Sequence, residues 1–403
     1  MKYLGEGGVN LFQKIAMLVA DYKEKNGEDN LINIGSGEPD TTPPETLKKL
    51  VAEEVLSNSY ATHTYQENNS KNKLNQNFVK LNTGLNIDEY PHLSTQILPG
   101  EKPMLGLLPI ACGANRNDVE ISNQGYMVNS PSYDVIQTWS SYLGEKSFVW
   151  PMFAEENFAL KVGNMPTGVK PRMILTVKPG NPCPVGATKE EWVELIEHCI
   201  SNNIRLVNDG AYTALTHNKH VTLTEVAKDY PKLDWIELFS GSKTFSMCGW
   251  RLGVAVGSND FISELAKIKG NTDSGAFGPL VSGMEKYLEG KQATLDAKEK
   301  QEMYKKRLDI LIKVFTDFGL KLACPTDAGF FMMFDCPKIL DGKEVINSEE
   351  YNKEIITKIG VVGVPFSGQK GEQFIRYSAC YDAFDEAKIA KLKDVLSRVE
   401  ISY

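Results

Sequence analysis

The stretch that decides the fold is Trp235-Ile236-Glu237-Leu238-Phe239-Ser240-Gly241-Ser242-Lys243. Its first half is a short apolar run, and its second half consists of small hydroxylated residues that end in a lysine. This order predicts a strand that ends in a loop, which is where α/β proteins place reactive groups. A primary amine at the position of Lys243 can act as a nucleophile and form a Schiff base.

Apolar runs of the same kind recur between about residues 95 and 257, and stretches with helical periodicity separate them. This alternation predicts an α/β fold with a mostly parallel, doubly wound sheet and helices on both faces. The runs lie at 125–128, 172–177, 204–207, 235–239 and 252–256, and the helical stretches lie at 103–112, 133–143 and 188–201.

Polar residues follow three of these runs directly. Asn181 comes after the run at 172–177, and Asp209 and Tyr212 come after the run at 204–207. Lys243 comes after the run at 235–239. Each motif alone would be ordinary turn chemistry. Because parallel strands bring their carboxyl ends into one crevice, the order of these motifs predicts that they converge on one ligand. Arg251, eight positions after Lys243, adds a cation that can bind a phosphate dianion.

Pyridoxal phosphate has a use for each of these groups. It needs a lysine for its aldehyde, and cations or backbone N–H groups for its phosphate. A carboxylate at Asp209 would pair with the pyridine nitrogen and keep it protonated, which makes the ring an electron sink. Tyr212 and Asn181 could form hydrogen bonds to the phenolic oxygen. The spacing therefore predicts a pyridoxal phosphate site.

The remaining segments predict a second, smaller domain. A long helical region at 279–315 is rich in lysine and glutamate, as expected of an exposed helix that links two domains. The final part mixes short strands with helices, which predicts an α+β unit. We expect residues 1–45 to form an N-terminal arm and part of the small domain, residues 46–300 the large cofactor-binding domain, and residues 301–403 the small C-terminal domain.

Composition limits the classes of partner. The 403 residues carry a formal net charge of −8, which argues against nucleic acid and an anionic membrane as main partners. No stretch approaches the roughly 20 apolar residues of a membrane span, and the start has no apolar signal region, so we expect a cytoplasmic protein. The seven cysteines form no C-x-x-C pair, and the five histidines lack metal spacing, so no metal site is expected.

The chain closely resembles the fold type I aminotransferases of classes I and II over nearly its whole length. This resemblance implies that Lys243 is the Schiff-base lysine and that Arg376 clamps the substrate carboxylate together with Asn181 and the Gly37 backbone. It also implies that Ser240 and Arg251 hold the cofactor phosphate, with Ser242 in the same cofactor-binding loop. The motifs that carry it are Gly37-Glu38-Pro39-Asp40, Asn181-Pro182, Asp209-x-x-Tyr212, Ser240-x-Ser242-Lys243, Gly249-Trp250-Arg251 and Phe374-Ile375-Arg376-Tyr377-Ser378.

Further residues match the family by position. Gly100-Glu101-Lys102 lies where the family has a glycine turn at a helix start, whose N–H groups cradle the phosphate. Glu101 is an awkward neighbour for a dianion, and we expect its side chain to point away. Tyr65 aligns with the tyrosine that reaches across the family's dimer interface, and Ser274 aligns with another position that faces the partner's site. The resemblance therefore implies a homodimer.

The chain also departs from the family pattern. Ser130 stands where relatives stack an aromatic ring on the cofactor, and the segment Lys178-Pro179-Gly180-Asn181-Pro182-Cys183-Pro184 carries an extra proline. The residue that stacks on the ring therefore stays open, as does the reaction that follows the shared carbanion.

The expected activity is transamination between an amino acid and a 2-oxo acid, with Lys243 as general base. A lyase that eliminates at Cβ on the same scaffold is the alternative. A non-catalytic sensor is less favoured, because sensors of that kind carry a DNA-binding domain ahead of the fold and we expect no room for one here. The side chain of the amino donor stays open, and dicarboxylate, aromatic, alanine-type and diaminopimelate substrates all remain candidates.

Overall fold

A central seven-stranded sheet organises the protein, which we describe from a computed structural model. The structure describes residues 11–66, 73–114, 116, 124–133 and 135–403. Its strands are β1 (Ile32–Asn33), β2 (Leu93–Leu98), β3 (Tyr126–Ser130), β4 (Ser147–Pro151), β5 (Met173–Val177), β6 (Arg205–Asp209), β7 (Trp235–Ser240), β8 (Gly253–Ser258), β9 (Phe331–Asp335), β10 (Ile339–Leu340), β11 (Lys343–Glu344), β12 (Val361–Val362), β13 (Val364–Ser367), β14 (Gln373–Ser378) and β15 (Ile401–Ser402).

Helices cover the sheet and connect its strands. The α-helices are α1 (Leu11–Asn26), α2 (Glu45–Val55), α3 (Tyr60–His63), α4 (Lys73–Thr83), α5 (Glu101–Ala111), α6 (Val135–Tyr142), α7 (Lys189–Asn202), α8 (Leu223–Ala227), α9 (Gly241–Thr244), α10 (Asn259–Gly270), α11 (Gly278–Glu289), α12 (Lys291–Phe318), α13 (Ser348–Ile359) and α14 (Glu386–Leu396). Among the described residues, none of these helices is both long and apolar enough to cross a membrane.

The central sheet has the strand order β2-β8-β7-β6-β5-β3-β4, and β8 runs antiparallel to both of its neighbours while the other neighbouring pairs are parallel. The prediction of a mostly parallel α/β sheet is confirmed. The register aligns Val177, Asp209 and Leu238 across β5, β6 and β7. The carboxyl ends of these three strands therefore meet at one edge, as the sequence predicted.

The strands of the sheet centre are buried on both faces. Met173 and Leu175 of β5 belong to one hydrophobic cluster, whereas Ile174 between them belongs to another. Successive side chains of a strand point to opposite faces, so this alternation shows a packed layer on each side. That two-sided burial explains why the runs are continuously apolar rather than alternating.

A further core lies around the three-stranded sheet β13-β14-β9. It combines Ile32 and Ile34 from the first part of the chain with residues of α12, α13 and α14. β1 pairs in parallel with β12, which ties the N-terminal segment to this region. These contacts agree with the expected small domain, although the boundaries at residues 45 and 300 stay predictions.

Two features of the chain differ from the sequence-based expectation. The helical region at 279–315 is not continuous, because Gly290 separates α11 from α12 with an extended backbone (φ −84°, ψ 160°). The strands β2 and β4 were not predicted. β4 lies at the edge of the sheet, and its burial is only partial, so its sequence lacks the continuous apolar run of the central strands.

Candidate active site

Asp209 ends β6 at the sheet edge where the three strand ends meet. Its carboxylate is buried, with 7% of the residue exposed, and Oδ1 accepts a hydrogen bond of 3.2 Å from the backbone N–H of Ala211. Burial raises the pKa of Asp209 to about 6, while the Ala211 N–H and the charge of Lys243 act in the opposite direction. The carboxylate is thus held inside the protein, close to the lysine amine.

Lys243 lies on α9, a single turn that directly follows β7. Ser240 caps this turn, because its Oγ accepts a hydrogen bond of 3.2 Å from the Ser242 N–H. The Lys243 amine donates a hydrogen bond of 2.7 Å to the carbonyl oxygen of Gly37. The predicted lysine and the predicted carboxylate-binding turn are therefore in direct contact.

Cys248 is a site neighbour that the sequence analysis missed. Its Sγ lies 3.7 Å from the Lys243 amine and donates to the Ser242 carbonyl at 3.3 Å. The other six cysteines are buried, whereas Cys248 is only half-buried. A scattered cysteine carries no motif of its own, so only its five-residue distance from Lys243 could have indicated this contact.

Arg376 lies on β14 and is almost fully buried, with 1% exposed. Nη2 donates to the Gly35 carbonyl at 2.7 Å, Nη1 donates to Asn181 Oδ1, and the guanidinium lies 4.0 Å above the ring of Phe331. Burial lowers the pKa of Arg376 to about 10. Its Nε has no hydrogen-bond partner. Within the described part of the chain no carboxylate forms an ion pair with Arg376, so its side chain is suited to bind an anion from outside.

Tyr212 lies in the loop after β6, within electrostatic range of Asp209 and Arg376. It is buried, and its ring meets Phe330 and Phe331 edge to face at 5.4 and 5.5 Å. Burial raises the pKa of Tyr212 well above its usual value, and the charge of Arg376 opposes this shift. The hydroxyl therefore remains protonated at neutral pH.

The Gly100 turn and Arg251 lie against each other. Gly100 has a φ of 83° and directly precedes α5, and a Cβ built on it would lie only 2.2 Å from Nη2 of Arg251. Arg251 also has a positive φ of 59°, is exposed, and donates from Nη1 to the Cys248 carbonyl at 2.7 Å. A helix start and a guanidinium at one place suit a phosphate group.

Glu101 and Lys102 follow this turn but differ from each other. Glu101 is 8% exposed, so it is not turned out to solvent, and its Oε1 has no hydrogen-bond partner. Lys102 is exposed, and its amine lies 5.4 Å from the ring centre of Tyr133. Glu101 was expected to point away from the site. Instead, its carboxyl interacts with the charges of Asp209, Lys243 and Arg251.

The Gly37-Glu38-Pro39-Asp40 segment is anchored to α12. Both carboxylate oxygens of Asp40 accept hydrogen bonds of 2.9 Å from Nη1 of the buried Arg307. The next residue, Thr41, shares a hydrogen bond of 2.7 Å with Ser246 of the lysine loop. Contacts with α12 and with the lysine loop therefore hold the segment in place.

Tyr65 does not join this group within the single chain. It is 76% exposed and lines a surface pocket together with Tyr60, His63 and residues 273–276, which include Ser274.

Ser130 ends β3 and is half-buried. Ser130 therefore places a hydroxyl rather than an aromatic ring at this end of β3.

A sequence profile of the family described as aminotransferase class I and II matches residues 29–393. The chain belongs to this family of aminotransferases. An LL-diaminopimelate aminotransferase of Syntrophobacter fumaroxidans is 29% identical over 380 residues, which are 92% of each chain. The enzyme of the same name from Methanocaldococcus jannaschii is 26% identical over 390 residues, covering 96% of this chain and 89% of its own.

Solved aminotransferase structures share the fold. A double mutant of Thermus thermophilus aspartate aminotransferase superposes with a TM-score of 0.79 at 17% identity, covering 98% of this chain and 99% of its own. The predicted family and fold are thus confirmed. Enzymes of this family depend in general on pyridoxal phosphate.

The donor set of this aminotransferase fits that cofactor. The site offers an amine at Lys243, a buried carboxylate at Asp209, and a glycine turn against Arg251 where any larger residue would collide with the guanidinium. The buried Nε of Arg376 also lacks a partner, as expected of a group that receives an anionic ligand.

Proposed function

We propose that this aminotransferase uses pyridoxal phosphate, held by Lys243, to move the amino group of an amino dicarboxylic acid to a 2-oxo acid. The observation that carries the proposal is the contact of 2.7 Å between the Lys243 amine and the carbonyl of Gly37, two residues after the Gly35 carbonyl that binds Arg376. The Nε of Arg376 has no hydrogen-bond partner. The contact joins a nucleophilic amine to a pocket for a carboxylate.

The cofactor when bound supplies an aldehyde that condenses with amines and a ring that accepts electrons. Asp209 would face the pyridine nitrogen, because it is a buried carboxylate at the end of β6 that interacts with the charge of Lys243. The tight Gly100 turn and Arg251 would hold the phosphate. The full set of proposed cofactor residues is Tyr65, Gly100, Glu101, Lys102, Asn181, Asp209, Tyr212, Ser240, Ser242, Lys243 and Arg251.

Lys243 would also move the proton. Its Nζ is the basic group of the site. It would take the proton from Cα of the substrate and carry it to the carbon of the cofactor that bore the aldehyde. The half-buried position of Lys243 limits the access of water to this transfer.

Arg376 would bind the substrate α-carboxylate. Its planar fork can present two N–H groups to one carboxylate, and the contacts to Gly35 and Asn181 fix the plane of that fork. A Cβ built on Gly37 would lie 3.4 Å from the ring of Phe331. The backbone of Gly37 would complete the carboxylate pocket.

The relatives support a particular donor. Two relatives that align over most of this chain are named LL-diaminopimelate aminotransferases, although they are only 26–29% identical to it. LL-diaminopimelate is therefore the first donor to test. Its distal end carries both a carboxylate and an amine, so a polar pocket rather than an apolar one would have to receive it.

A panel of donors and acceptors tests the proposal. Purified protein with added pyridoxal phosphate would receive LL-diaminopimelate, glutamate, alanine or phenylalanine, each with 2-oxoglutarate, pyruvate or oxaloacetate. We expect amino transfer with the highest kcat/KM for LL-diaminopimelate. Without a 2-oxo acid, at most one equivalent of deaminated donor per active site should form. Release of ammonia, pyruvate and a thiol from cystathionine, a further donor that carries a sulfur leaving group at Cβ, in the absence of a 2-oxo acid would show β-elimination instead and contradict transamination.

We further propose a homodimer in which Tyr65 serves the partner's site. Its 76% exposure in the single chain, on a pocket shared with Ser274, supports a partner contact. A monomer in sedimentation at micromolar concentration would contradict this.

A further inference from the structure

Glu101 is a buried carboxyl group with an incomplete hydrogen-bond complement. It is the first residue of α5, directly after Gly100, and only 8% of it is exposed. A Cβ built on Gly253 would lie 3.3 Å from Cγ of Glu101, so the side chain packs against the start of β8. Its Oε1 has no partner. Native proteins rarely bury an unpaired carboxylate oxygen, so this group requires an explanation.

Charged groups face this carboxyl from several elements. Asp209 at the end of β6 repels its negative charge, and Lys243 on α9 and Arg251 before β8 attract it. Tyr212, in the loop after β6, is also within electrostatic range. Burial and the charge of Asp209 together raise the pKa of Glu101 well above its usual value, despite the two cations. Of the two neighbouring carboxyls, Glu101 is therefore the one that keeps a proton.

The position of Glu101 conflicts with an ionised form once a phosphate binds. In the first turn of a helix an ionised carboxylate is normally stabilised by the helix dipole. A phosphate at the same helix start would use the same dipole and the same arginine. Two anions would then compete for one positive end, whereas a neutral carboxylic acid would instead offer an O–H donor.

We propose that Glu101 occupies the loaded site as a neutral carboxylic acid, and that binding of the cofactor phosphate at the start of α5 requires this proton. Loss of the proton at alkaline pH then weakens the hold on the cofactor. This inference rests on the proposed cofactor site and adds a regulation of that site by pH.

Pyridoxamine phosphate is the probe of choice, because it lacks an aldehyde and cannot react with Lys243. Its Kd for the cofactor-free protein would be measured between pH 7 and 9 for the wild type, Glu101→Gln and the control Glu45→Gln. Glu45 is also the first residue of a helix, α2, but is exposed. The phosphate's second ionisation lies near pH 6, and the pKa of Asp209 is about 6. Both groups are thus already ionised throughout this window.

We expect the Kd of the wild type and of Glu45→Gln to rise with pH, approaching about tenfold per unit where one proton is taken up on binding. Glu101→Gln should bind with a Kd that changes much less. Calorimetry in two buffers of different ionisation enthalpy should show more proton uptake by the wild type than by Glu101→Gln, because protonation of the cofactor's ring nitrogen contributes equally to both. Glu101→Ser provides a second variant without a titratable group, should the glutamine variant not fold.

Equal pH slopes and equal proton uptake in the wild type and in the folded Glu101 variant would overturn the role of Glu101. Failure of the wild type to bind pyridoxamine phosphate at any pH would be a different result. It would overturn the proposed cofactor site itself.

Discussion

The amine of Lys243 donates a hydrogen bond of 2.7 Å to the carbonyl oxygen of Gly37, across 206 positions of the chain. Arg376 donates to Gly35, two residues before, at 2.7 Å. One short backbone segment therefore receives both the proposed nucleophile and the proposed carboxylate clamp. Because Asp40 and Thr41 anchor the same segment to α12 and to the lysine loop, the geometry of the whole site depends on it.

Replacement of Asp209 should raise the stability of the protein while it lowers the activity. The pKa of Asp209 is about 6 in the folded chain and 3.8 for an unperturbed carboxyl, so the folded state binds more protons between these values. Stability therefore falls as pH rises from about 4 to 6, and the cost persists above that range. We expect cofactor-free Asp209→Asn to be more stable than the wild type by about 1–3 kcal/mol at pH 7.5 and by less at pH 5, as measured by chemical unfolding.

The same variant should lose most of its turnover. Without a carboxylate the ring nitrogen of the cofactor is no longer kept protonated, and we expect kcat to fall by about 10²-fold or more. A kcat close to that of the wild type would show that Asp209 is not the partner of the ring.

Gly100→Ala tests the phosphate turn. Alanine at a φ of 83° is strained, and its Cβ would collide with the guanidinium of Arg251. Gly144→Ala is a matched control, because Gly144 has a φ of 68° and no atom within 4 Å of the position that an added methyl group would take. We expect Gly144→Ala to lose about 1 kcal/mol of stability. Gly100→Ala should lose about 1–3 kcal/mol, because its φ of 83° and ψ of 154° lie in a region that only glycine adopts readily. Only Gly100→Ala should lose cofactor affinity, by about tenfold or more. Equal cofactor affinities in the two variants would show that Gly100 and Arg251 do not bind the phosphate.

Arg376→Lys tests the carboxylate clamp. Lysine keeps the charge but cannot present two parallel N–H groups, so we expect KM for the amino donor to rise by about 10²-fold. Arg172→Lys is the control, since Arg172 is half-buried at the opposite end of the sheet and bonds Gly113 and Glu145. An unchanged KM in Arg376→Lys, measured with the best donor of the panel, would place the carboxylate elsewhere.

The sequence was sufficient to predict which groups meet at the sheet edge. Asp209 ends one strand and Lys243 follows its parallel neighbour, so their proximity follows from strand order alone. The contact between Lys243 and Gly37 could not be derived in this way. It depends on how the N-terminal segment returns to the sheet through tertiary packing, and the motif around Gly37 indicated it only through the resemblance to the family.

Other features depend on details that a pattern does not carry. Glu101 was expected to avoid the site, but the short turn at Gly100 and the close packing on Gly253 enclose its side chain. The break between α11 and α12 at Gly290 interrupts a stretch whose periodicity continues on both sides. In both cases the backbone at one or two glycines decides the outcome.

Mixing two inactive variants tests the shared site of the proposed dimer. Tyr65→Phe combined with Lys243→Ala should form hybrids with one site that carries both lesions and one that carries neither. With random exchange of subunits, about half of the dimers are hybrids with one intact site, so about a quarter of the wild-type activity should return. Activity that does not rise above the parents, although hybrids are shown by native mass spectrometry, would mean that Tyr65 acts within its own subunit.

The covalent position of the cofactor is the most direct test of the account. Purified protein would be incubated with pyridoxal phosphate, reduced with borohydride, digested and mapped by mass spectrometry. We predict one modified peptide, with the mass of the reduced cofactor on Lys243, and none after Lys243→Arg substitution. A reduced adduct on Lys102, on the buried Lys178 or on any other lysine, with Lys243 unmodified, would contradict the assignment of the active site.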